Sequence, residues 1–109
     1  MTDQQHVTPT ERVTLEQADG QPHARLFDGE PQTIRLTLEA GDSIAPHQHP
    51  DREIVLHVLE GALTVTLGED EHEVPAGDVV RFDGRQYVSP EALDDTTALL
   101  VLAKRHETE

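Results

Sequence analysis

Two histidines and a carboxylate stand close together in this chain: His47, His49 and Glu53. Successive side chains on an extended strand alternate faces, so His47 and His49 point the same way. Two imidazoles on one face with a carboxylate nearby can chelate a divalent metal. Such a two-histidine, one-carboxylate set leaves coordination positions open, as in non-heme Fe(II) oxygen chemistry, and its ligand types also suit Mn, Ni, Co or Zn. The plainer alternative is a hydrogen-bonded polar lining without metal, with Glu53 paired to Arg52 or another arginine. His57 lies four residues after Glu53 and shares its face if the strand is unbroken. His6, His23, His72 and His106 read as solvated surface residues.

The elements that must position these groups are strands. Residues 33–39 (TIRLTLE) and 62–67 (ALTVTL) alternate apolar and polar, as half-buried strands do, whereas 98–103 (ALLVLA) is apolar throughout and suits a strand covered on both faces. Shorter strands are expected at 13–17, 24–27, 54–59, 71–74, 79–82 and 87–89. Turn pairs such as Asp19-Gly20, Glu60-Gly61 and Asp83-Gly84 punctuate them. Residues 90–95 have room for one helical turn at most. Many short strands at regular spacing predict a sandwich or barrel. One domain over 10–103 is expected, with polar tails at 1–9 and 104–109.

Composition narrows the function classes. The chain has no cysteine, which excludes disulfides, thiolate catalysis and cysteine metal ligands. Asp and Glu number 22 against 8 Lys and Arg, a formal net charge of −14. A field of that sign repels nucleic acid and anionic membrane. With Lys104 as the sole lysine, the balance also points to adaptation to high salt, where screening removes self-repulsion. No secretory signal or membrane-spanning run is visible, which makes a cytoplasmic location the default.

Residues 41–61, GDSIAPHQHPDREIVLHVLEG, resemble the first signature of the cupin superfamily: glycine, five residues, His-x-His, three or four residues, glutamate, six residues, glycine. Gly41, His47, His49, Glu53 and Gly61 carry the match. Seven residues rather than six separate Glu53 from Gly61; counting back from Gly61 puts Ile54 at the glutamate position, and a β-bulge would absorb the extra residue. The second signature begins well at 75–80 (PAGDVV), but Tyr87 follows Gly84 where a further histidine is usual. The resemblance implies an all-β fold, the double-stranded β-helix or jelly-roll barrel. It implies a divalent metal held by His47, His49 and Glu53, with Tyr87 or His57 contacting a substrate. It also puts Arg81 and Arg85 near the barrel mouth, where either could bind a carboxylate, the alternative being surface ion pairs.

Three functions stay open. One is a metal-dependent enzyme, a dioxygenase or isomerase acting on a small polar molecule. The second is a non-catalytic module that binds a metal or a small-molecule ligand. The third is a structural or stress-related protein with a vestigial site. Small cupins often associate through their sheets, so a homodimer is a further expectation.

Overall fold

The computed structural model describes residue 7 and residues 9–105. The expectations for His6, His106 and most of the 1–9 tail fall outside them. A short 3-10 turn at Leu15–Gln17 precedes eight strands: β1 His23–Arg25, β2 Gln32–Leu38, β3 Arg52–Glu60, β4 Ala62–Leu67, β5 Asp70–Pro75, β6 Val79–Asp83, β7 Val88–Ala92 and β8 Thr96–Lys104. They form two antiparallel sheets, ordered β1-β2-β8-β3-β6 and β5-β4-β7. This is the all-β, two-sheet barrel that the alternating patterns call for. No helix among the described residues is long and apolar enough to cross a membrane.

Alternation decides what each strand buries. In β2, Ile34, Leu36 and Leu38 face the core, and in β3 Ile54, Leu56 and Val58 do so. Strand β8 lies between them, pairing Leu36 with Ala98 and Ile54 with Leu102. It is therefore a central strand, which explains its continuous apolar run. The opposite sheet contributes Leu63, Val65, Val74, Val88 and Ala92 to the same core. At the β3–β4 turn, Gly61 has φ 83°, and a Cβ there would run into the Asp95 carbonyl and Thr96.

One local expectation is corrected. Residues 13–17 form no strand. The guanidinium of Arg35 donates instead to the carbonyls of Leu15, Ala18 and Gly20, satisfying the backbone groups that a ladder would have taken. Residues 90–95 contain no helical turn: β7 runs through Pro90, whose carbonyl accepts from Ile44 N–H at 3.0 Å. At the C-terminal end, β8 runs to Lys104, one residue into the expected tail. Arg105 then bonds the Asp51 carbonyl through its backbone N–H, so ordered structure reaches beyond 103.

Candidate functional site: a histidine-rimmed apolar cavity

The segment carrying the two histidines runs along the free side of β7. Backbone bonds join Gly41 with Ala92, Ile44 with Pro90, and His47 with Val88, so residues 41–47 act as an added edge of the smaller sheet. Gly84 fixes the far end of the segment. Its carbonyl accepts from His49 N–H at 2.7 Å and its N–H donates to the Arg52 carbonyl at 2.9 Å. A Cβ on Gly84 would collide with both His49 and Arg52 backbones, so this close approach requires glycine.

Held this way, His47 and His49 meet edge to face, with ring centroids 4.9 Å apart. Both line a cavity of about 420 Å³. His23 and Gln32 also line it. His23 sits opposite Leu36 in the β1–β2 register, at the exposed rim. The remaining wall is apolar: Ile34, Leu36, Ile44, Ala45, Pro46, Ile54, Leu56, Val65, Phe82, Val88, Pro90, Leu100 and Leu102. Burial lowers the pKa of His23 and His49, with smaller contributions from neighbouring titratable groups: His47 acts on both, and Arg52 and His23 act on His49. His47 Nδ1 donates to the Ala45 carbonyl at 2.9 Å.

Glu53 is elsewhere. The register shift in the β3–β8 ladder lies between Val58 and Glu60. Alternation is therefore regular from Glu53 to Val58. Ile54 faces the cavity, while Glu53, Val55 and His57 share the outer face. The extra residue before Gly61 is absorbed as a bulge beside the glycine, not beside the carboxylate. Glu53 accepts from Arg105 at 2.9 Å, and Arg105 also lies 3.2 Å from Asp83. Its expected role as a metal ligand is thus set aside on geometry: its carboxylate is on the wrong side of the sheet.

The other expected contacts also lie off the cavity wall. His57 pairs with Val79 and Leu99 on the outer face. Tyr87 is 55% exposed, and its neighbour Val88 is the residue that faces in. Arg81 is exposed on β6, opposite Val55. Arg85 chelates the Asp83 carboxylate, which its hydrogen bonds hold down at about 2. The chemistry of the donor set can be tested directly against the implied metal. Two imidazoles face the cavity, but the carboxylate position holds Ile54 and the inward residue near the missing histidine is Val88. Among the described residues no group of three or more His, Asp or Glu side chains is arranged to hold a metal ion. The residues do not fit the family's four-ligand set.

Two rim residues, His23 and Gln32, escaped sequence reasoning. His23 opens β1, and only its register with Leu36 brings it to the cavity; its sequence neighbours Pro22 and Ala24 carry no signal of that pairing.

The cupin domain model matches residues 34–103, well over half of the chain. The chain belongs to the cupin family. Several solved structures share its shape. An RmlC-like cupin from Shewanella frigidimarina superposes with a TM-score of 0.74 at 17% identity, over 91% of this chain and 95% of that one. A conserved protein of unknown function from Streptococcus pyogenes gives 0.71 at 18%, covering 98% of each chain. A protein called a predicted oxalate decarboxylase, from Thermotoga maritima, gives 0.68 at 23%, over 76% and 79%. At these identities the likeness establishes the double-stranded β-helix alone. A search of curated proteins finds no match.

Proposed function

We propose that this cupin is a small-molecule-binding module whose ligand sits in the barrel, without the metal centre of the family's four-ligand type. The carrying observation is the replacement of ligand chemistry by hydrocarbon inside the cavity: Ile54 and Val88 face in, while Glu53 and Tyr87 do not. An apolar cavity with a few convergent polar groups is what small-ligand sites consist of. Apolar surface of this kind favours a ligand with a hydrophobic body, at roughly 25 cal/mol for each Å² removed from water.

Methyl NMR tests this. The methyl signals of Ile34, Ile44, Ile54 and Leu56 should shift on titration with small apolar molecules, while those of Val55 and Val101 on the outer face stay put. A folded protein in which no cavity methyl responds to any such molecule would sink the reading.

A metal held by the imidazoles is the competing reading, and one observation favours it. The Nδ1–H bond to Ala45 leaves His47 Nε2 with its lone pair, the tautomer that metal-bound histidines use. A bound metal would supply Lewis-acid or redox chemistry to dioxygenase- or isomerase-type reactions. Metal analysis of protein purified without affinity metal, with melting curves in added Fe, Mn, Ni, Co or Zn, decides between the two. Stoichiometric metal lost in His47→Ala would replace the first reading with the second.

A further inference from the structure

The cavity mouth holds hydrogen-bonding capacity that the protein leaves unused, and the chemistry of that capacity selects a ligand class. The inference rests on the small-molecule reading above. Four polar side chains converge there from three places: His23 on β1, Gln32 on β2, and His47 and His49 on the 41–49 segment. Among the described residues, the one side-chain hydrogen bond these four make is His47 Nδ1 to the Ala45 carbonyl.

That bond fixes a tautomer. A carbonyl only accepts, so Nδ1 carries the hydrogen, and the neutral ring has its lone pair at Nε2. A ligand group meeting Nε2 must therefore bring a hydrogen. An ammonium would do so, but a desolvated cation needs an anionic partner. The chain has 22 acidic residues, yet among the described residues no Asp or Glu lines the cavity. A carboxylate cannot donate at all, and the chain's charge of −14 opposes its approach. The remaining choice is a neutral group that both donates and accepts. A hydroxyl does this: it can give its hydrogen to His47 Nε2 and accept from a ring N–H of His49 or His23, or from the Gln32 amide.

We propose that the cavity binds an uncharged, largely hydrocarbon alcohol or phenol, its hydroxyl at the His47–His49 pair and its body against Ile54, Leu56, Phe82 and Leu102.

The test is calorimetric titration of the chelator-treated full chain with three probes sharing one hydrocarbon body: 1-octanol, octanoate and octylamine. Octanol should bind at least about tenfold more tightly than either charged analogue, about 1.4 kcal/mol. His47→Phe keeps a ring in place and removes the acceptor, so it should erase the preference, whereas His72→Gln on β5 should not. If His47→Phe fails to fold, the ranking of the three probes on the parent protein carries the test. Octanoate or octylamine binding as tightly as octanol overturns the hydroxyl assignment and leaves the small-molecule reading standing. Failure of all three probes, with unmoved cavity methyls, removes that reading and this one together. Octanol binding that appears only after Zn or Ni is added assigns the recognition to metal and overturns the proposal.

Discussion

The barrel has two halves built from the same residue types that end in different states. In one half Leu38, Val58, Leu63, Val74, Ala92 and Ala98 fill the space between the sheets, and each is at most 4% exposed. In the other, Ile54, Leu56, Val88, Leu100 and Leu102 surround the cavity of about 420 Å³. The boundary runs across β3, between Leu56 and Val58. Hydrophobic patterning is the same on both sides of it. Patterning tells which way a side chain faces, but not whether anything sits opposite it.

Three measurements would break or sharpen this contrast. The largest effect belongs to Ile54→Glu, which returns a carboxylate to the wall beside the two imidazoles. Burying it should cost about 2–4 kcal/mol in urea unfolding without metal. Added Ni or Zn should recover much of that loss, which it should not do for Glu53→Gln. If metal stabilises Glu53→Gln no less than Ile54→Glu, the inward position of residue 54 is not the deciding one. Next come paired truncations. Leu63→Ala in the filled half should cost about 3 kcal/mol, whereas Leu56→Ala beside existing empty space should cost about half as much. Equal losses would mean that the cavity is closed in solution.

The smallest effect is a pH slope. His23 and His49 have pKa values lowered by burial, so the unfolded chain takes up protons before the folded one does. The stability they contribute is present above the unfolded value of about 6.5 and is lost as pH falls through the lowered folded values. Melting temperature should drop across that range in the parent protein and drop less in the double variant His23→Gln, His49→Gln. A slope that is unchanged would place these rings in water. Asp83 adds a separate loss at lower pH, toward its value of about 2.

Much of the fold was legible because β-alternation is a local signal. TIRLTLE and ALTVTL gave β2 and β4 within a residue or so, and the Gly41–His47–His49 spacing gave the family. Glu53 was not legible, since its face depends on where a single extra residue is absorbed. The register shift at Val58/Glu60 is a property of the β3–β8 pairing, and sequence spacing alone could as well have placed it at residue 55. His23 was missed for the same reason: it reaches the rim through pairing with β2, not through any pattern of its own. The 13–17 segment was misread because Arg35, a single side chain on the neighbouring sheet, took over the work of a partner strand.

That arginine has a consequence for how the molecule comes apart. Three carbonyls across residues 15–20 converge on one guanidinium, and three residues past Gly20 the chain delivers His23 to the rim. The stretch behaves as a strap with a single buckle. Opening the buckle together with the short β1–β2 ladder beyond it would withdraw one rim histidine while the other strands stay paired, a partial opening that amide exchange would register at 17–18 and 23–25 long before β3 or β8.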